Sequence, residues 1–127
     1  MITGTINAKI EAVVALEVFE AQGASHTLEA ILDTGYSGCL SLPPETAAAF
    51  GLSITGFERV TLADGSTVLS SICPARIIWD GKPFRIDIDV LETAPLVGMG
   101  LMMGYDLNAR IIPGGPVTLT ECELNSP

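Results

Sequence analysis

This chain of 127 residues contains one histidine, and that shortage alone removes a class of chemistry. Ser-His-Asp and Cys-His sites need a positioned imidazole. His26 follows the turn-forming Gly23-Ala24-Ser25 and reads as a solvent-facing loop residue. Cysteine is scarce too: Cys39, Cys73 and Cys122 show no Cys-x-x-Cys spacing and have only His26 as an imidazole companion. That set is a poor match to a zinc site or a disulfide scaffold, and buried free thiols in a reducing compartment are expected. Basic residues number six and form no run that could follow a phosphate backbone, which argues against nucleic acid as a partner. No apolar stretch approaches the roughly 20 residues of a membrane-spanning helix. The N-terminus lacks a basic region followed by an apolar core and a small-residue cleavage site, so a soluble, cytoplasmic protein without a membrane partner is expected.

What the chain does have is apolar residues and acids. A hydrophobic share of 48% fits one compact domain over residues 1–127, with a core that needs no metal or disulfide. The net charge of −9 favours solubility and weakly repels acidic peptides while tolerating neutral or basic ones.

The pattern along the chain is that of short strands. Ile2 to Phe19 alternates and then becomes almost continuously apolar, predicting one or two strands; Glu20 to Ser25 connects them to a returning strand over Thr27 to Leu32. Cys39 to Leu42 is a short strand stopped by Pro43-Pro44. Pro44 to Phe50, with proline and an acid in the first turn and Gly51 at the end, predicts a short helix. Glu58 to Leu62 and Thr67 to Ile72 flank Ala63-Asp64-Gly65-Ser66, a strong hairpin signal. A second hairpin is expected from Ala75–Trp79 and Phe84–Leu91, whose alternation places Arg85, Asp87 and Asp89 on a wet face. Gly100 to Leu107 suggests another short helix, and Ala109–Ile112 with Val117–Leu119 a last hairpin. Many short strands with one or two short helices predict an all-β, closed or nearly closed structure resembling a small barrel.

One stretch stands out against this background. Ala30-Ile31-Leu32 runs as an apolar strand straight into Asp33, and Thr34-Gly35-Tyr36-Ser37-Gly38 turns sharply away. A lone carboxylate at the edge of a core is partly desolvated, and one carboxylate cannot both activate a water and protonate a leaving amine. Two sharing a proton can. The chain has no second Asp-Thr-Gly, so a second carboxylate would come from another subunit. Thr34 can lock the loop through its hydroxyl, and Gly35 allows main-chain N–H groups to approach the carboxylate.

Leu32-Asp33-Thr34-Gly35-Tyr36-Ser37-Gly38, the Leu62-Ala63-Asp64-Gly65-Ser66 hairpin and Pro95-Leu96-Val97-Gly98-Met99 together resemble the retropepsin-like aspartic proteases, particularly their small bacterial members. The resemblance implies the acid-protease fold and a homodimer that hydrolyses peptide bonds, with Asp33 of each subunit holding the lytic water. It also implies that Thr34 and Gly35 fix the loop, that Leu96-Val97-Gly98 packs beneath it, and that the hairpin at Ala63, Asp64, Gly65 and Ser66 is a flap over a peptide or protein substrate. Activity should then be highest on the acidic side of neutral. Tyr36, where retroviral enzymes most often carry Ala or Ser, either packs outward over the loop or narrows the substrate cleft. The alternative keeps the fold without the chemistry: a catalytically silent dimeric peptide-binding module.

Two other features have bland readings. The glycines of Gly98-Met99-Gly100-Leu101-Met102-Met103-Gly104 brush against a dinucleotide-binding pattern, but the third is one residue late and no βαβ unit surrounds it, so no cofactor is expected. Asp87 and Asp89 share a strand face but lack an oxygen-rich loop, so no metal is expected there.

Overall fold

A computed structural model describes residues 1–123. Ten strands and two short helices follow one another along the chain: β1 (Ile2–Ile6), β2 (Ala12–Phe19), β3 (Ser25–Leu32), β4 (Leu40–Leu42), α1 (Pro44–Ala49), β5 (Gly56–Thr61), β6 (Thr67–Trp79), β7 (Lys82–Val90), β8 (Leu96–Val97), α2 (Met99–Met102), β9 (Tyr105–Ala109) and β10 (Pro116–Glu121). Strands hold 53% of the residues and helices 8%, as an all-β reading with two short helices requires. They form one sheet in the order β5-β6-β7-β4-β8-β3-β2-β1-β10-β9, and an extra pairing of β6 with β2 folds the sheet back on itself.

Local chemistry explains the ends of α1 and the β2–β3 turn. Pro44 takes the first helical position of α1 with Glu45 beside it, and Gly51 ends the helix at φ +68°, where a Cβ would be strained. The β2–β3 hairpin turns through Gly23 at φ +101°. His26 is a strand residue rather than a loop residue: it lies in β3 opposite Val18, stacks on the Phe50 ring and pairs with Glu20.

Three expectations are corrected. Thr67–Ile72 and Ala75–Trp79 are one continuous strand, β6, despite Pro74. On one side of β6 the partner β5 ends opposite Ile72 and the partner β2 begins opposite Ile77, so Pro74 falls in the gap and interrupts no ladder there. Second, helix is confined to the single turn of α2, and Tyr105 to Ala109 is strand β9, pairing with β10 from Tyr105↔Glu121 to Ala109↔Val117. Third, residues 110–115 are loop, so the last hairpin begins earlier than Ala109–Ile112.

The main core joins Val14, Leu16, Val18, Leu40, Ile77, Trp79, Ile88, Val97 and Leu119 between the layers. A smaller cluster, Tyr36, Val60 and Leu91 with Leu62, Val68 and Leu96 packed against it, lies under the β5–β6 hairpin beside the Asp33 loop. Of the three cysteines, Cys73 is buried and Cys39 and Cys122 are half-buried; all are free thiols.

Two substitutions test this packing. Ile77→Ala, at a site with no exposure, is expected to cost about 2–5 kcal/mol, read from the urea midpoint. At Gly98 a Cβ would press on the Gly38 carbonyl and come within 2.6 Å of the Tyr36 ring. Gly98→Ala is therefore expected to lose about 1–3 kcal/mol in the same measurement, and an unchanged midpoint would contradict the packing.

Candidate active site

β3 delivers Asp33 to the surface. Ile31 and Leu32 pair in parallel with Leu96 and Val97, and the Asp33 N–H donates to the Val97 carbonyl at 2.9 Å, so the backbone is held up to the acid itself. The chain then reverses: the Tyr36 N–H donates to the Asp33 carbonyl at 3.2 Å, and the Gly35 N–H donates to Asp33 Oδ1 at 2.8 Å. That bond fixes the carboxylate's orientation. Oδ2 has no partner among the described residues, and the half-buried carboxylate presents it to solvent. Thr34 is exposed, and its hydroxyl makes no bond within the described chain.

The segment that follows β8 locks the loop from below. The Gly98 N–H donates to the Cys39 carbonyl at 3.0 Å, and the Met99 N–H to the Tyr36 carbonyl at 2.8 Å. Leu96-Val97-Gly98 thus underlies the loop, and glycine at 98 is what permits the close approach.

The β5–β6 hairpin comes down on the other side. A Cβ at Gly35 would collide with the Ala63 backbone and stand 2.8 Å from its Cβ, so Gly35 and Ala63 touch with nothing between them. Asp64, Gly65 and Ser66 form the exposed turn beyond. Asp64 Oδ1 accepts from the Ser66 hydroxyl at 2.6 Å and the Ser66 N–H at 2.9 Å, which holds its carboxyl below the usual range, and Gly65 sits at φ +85°. The structure therefore joins Asp33, Gly35 and Ala63, while Asp64 to Ser66 turn outward.

Tyr36 is corrected. It neither packs outward nor walls a cleft: its side chain has no exposure and its hydroxyl donates to Asp89 Oδ2. Burial first, then the bond to Asp89, pushes its hydroxyl far above the ordinary range, so it stays a donor.

Asp89 is the second correction, since alternation placed it on a wet face and it is fully buried. At that point β7 is flanked by β6 and β4, with Ser41 opposite Asp89 on β4, and Tyr36 closes over the carboxylate. Ser70, also buried, donates its hydroxyl to Asp89 Oδ1 at 3.0 Å. Glu58, opposite Ser70 on β5, is pushed up to about 7 by a hydrogen bond to Asp89, then by burial and by repulsion from Asp89 and Asp87. Burial, with Asp89 nearby, raises the Cys39 thiol as well, which keeps it protonated and unreactive. Sequence reasoning missed Asp89 and Ser70 as supports of the site. The one available signal was a tyrosine after Asp-Thr-Gly, whose hydroxyl needs a partner once buried.

Other sites are less persuasive. A cavity of about 430 Å³ bounded by Phe19, Leu52, Arg76 and Arg85 contains no residue of the Asp33 loop. Among the described residues no group of three or more His, Cys, Asp or Glu side chains could hold a metal ion, and no helix is long and apolar enough to cross a membrane.

No family model matches the chain, and no curated protein sequence matches it. A search of solved structures finds the crystal structure of a retropepsin-like aspartic protease from Rickettsia conorii, which superposes with a TM-score of 0.58 at 18% identity, over 95% of this chain and 90% of that one. At that identity the likeness is one of fold, and the fold this chain adopts is that of a retropepsin-like aspartic protease.

Proposed function

We propose that this chain is an aspartic endopeptidase that works as a homodimer, with Asp33 of each copy forming one carboxylate pair. The observation that carries the reading is the loop itself: a carboxylate at the end of a buried strand, one oxygen fixed by the Gly35 N–H and the other facing solvent without a partner among the described residues. In the assembled pair, the charged Asp33 takes a proton from water as its oxygen attacks the peptide carbonyl carbon. The protonated Asp33 of the other copy gives its proton to the carbonyl oxygen. The tetrahedral gem-diol collapses when the leaving nitrogen receives the proton that one Asp33 took from water; the C–N bond breaks as a gem-diol hydroxyl returns its proton to the other Asp33, which restores the singly protonated pair.

The exposed Thr34 hydroxyl, next in sequence to this carboxylate, has no bond among the described residues, which suits a contact with the facing loop. Ala63 through Ser66 serve as the flap. Because Ala63 rests on Gly35, the hairpin has to lift for a peptide to lie over Asp33.

The test is cleavage of a peptide library from pH 4 to 8, with oligomeric mass measured alongside. Parent protein is expected to sediment as a dimer and to cut faster below neutral pH, because one proton has to be shared across the pair. Asp33→Asn is expected to lose about 10²–10⁴-fold in rate while keeping its dimeric mass. Cleavage by Asp33→Asn at the parental rate, or full activity in a strict monomer, would sink the proposal. Peptide binding with no turnover by the parent would leave the silent binding module.

A further inference from the structure

Asp89 is a fully buried carboxylate that the chemistry just described does not use. Burying a charge costs heavily unless it is hydrogen-bonded, so its partners identify what it holds: the exposed Glu58 at the rim, and two buried hydroxyls. On one side Oδ2 takes the Tyr36 hydroxyl, three residues after Asp33; on the other Oδ1 takes the Ser70 hydroxyl. The position of Ser70 is informative. β6 pairs with β7 from Ser71↔Val90 onward, whereas Thr67 to Ser70 pair only with β5. Ser70 is therefore the first residue of the hairpin beyond the supported sheet, at the root about which the hairpin leaves the body.

The surroundings are shaped to this contact. A Cβ at Gly38 would run into both Asp89 Oδ2 and the Tyr36 hydroxyl, and one at Gly98 would press on the Tyr36 ring. Two glycines thus leave room for one tyrosine to reach one acid. Ser41, fully buried, sits opposite Asp89 on β4 but donates no bond to it; its Oγ accepts the Leu96 N–H at 3.2 Å.

We propose that Asp89 is a positioning residue that ties the catalytic loop, through Tyr36, and the hairpin root, through Ser70, to a single buried carboxylate. This rests on the aspartic-protease reading of Asp33. The two arms act on different stages. The Tyr36 arm sets the height of the loop and hence the alignment of Asp33 with its counterpart, where a displacement of about 1 Å can cost on the order of 10²-fold in rate. The Ser70 arm sets how the hairpin is seated over substrate.

The experiment compares kcat and KM for Tyr36→Phe, Ser70→Ala and the double variant Tyr36→Phe/Asp89→Leu, together with amide hydrogen exchange over residues 33–38. Tyr36→Phe is expected to lower kcat about tenfold or more with KM nearly unchanged, and to speed exchange of the 33–38 amides but not those of β1 and β2. Ser70→Ala is expected to raise KM with kcat nearly unchanged. Removing both partners with apolar groups of similar shape relieves the stranded charge, so the double variant should melt near the parent temperature, and Ser70 can turn to the Ser71 carbonyl at 3.3 Å. Its kcat should stay low. If activity returns with stability in the double variant, or if Tyr36→Phe leaves both kcat and exchange at parental values, the link is merely structural and the proposal is overturned. A parent that cleaves no peptide removes the protease reading instead, and the exchange measurement then decides whether Asp89 holds the loop.

Discussion

The parallel pairing of Ile31-Leu32 with Leu96-Val97 is the contact on which the remainder depends. Parallel strands need coverage on both faces and a long connection between them, and everything from Asp33 to Pro95 is that connection. The excursion leaves the sheet as the Asp33 loop, builds β4, α1 and two hairpins, and comes back beneath its own starting point. Because Val97 accepts the Asp33 N–H while Gly98 donates to Cys39, the returning strand is threaded between the two ends of the loop. Together these hydrogen bonds fix the backbone on both sides of the carboxylate at the edge of the core.

Much of this was legible in the residues. Asp64-Gly65 between β-rich runs marked the hairpin, Pro43-Pro44 and Gly51 bracketed α1, and Asp-Thr-Gly followed later by Leu-Val-Gly marked the loop and its floor. What failed has physical reasons. Period-two alternation tells which side of a strand a residue faces, not whether that side is covered, so Asp89 read as solvated although Tyr36 closes over it. Pro74 read as a strand end because the sequence does not show where neighbouring strands begin and stop. Tyr105 to Leu107 read as the end of a helix because a glycine- and methionine-rich lead-in gives weak directional cues, and cross-strand contact with β10 overrides local preference.

Charge is distributed with some economy. Fifteen acids against six basic residues leave most carboxylates in water, yet one is fully buried and another, Glu58, is drawn into its field. Sign matters for Glu58: with its folded value raised above the ordinary one, its contribution to stability is present at low pH and declines as pH climbs toward about 7. Solvent screening keeps that contribution small, since Glu58 is exposed.

The contact between Gly35 and Ala63 has a quantitative consequence for recognition. If the hairpin is the flap proposed above, a peptide would meet a receptive surface only in the fraction of molecules whose hairpin has lifted. Its apparent dissociation constant is the intrinsic one divided by that fraction. The discount is the same for every ligand in free energy, and it weighs most on those with few contacts to offset it. On the proposed reading, a short segment would have too few contacts to offset the loss, whereas an extended one spanning several residues on either side of Asp33 would offset it. On the proposed reading, the contact between a glycine and an alanine sets a threshold of affinity that extended peptides would clear more readily than short ones.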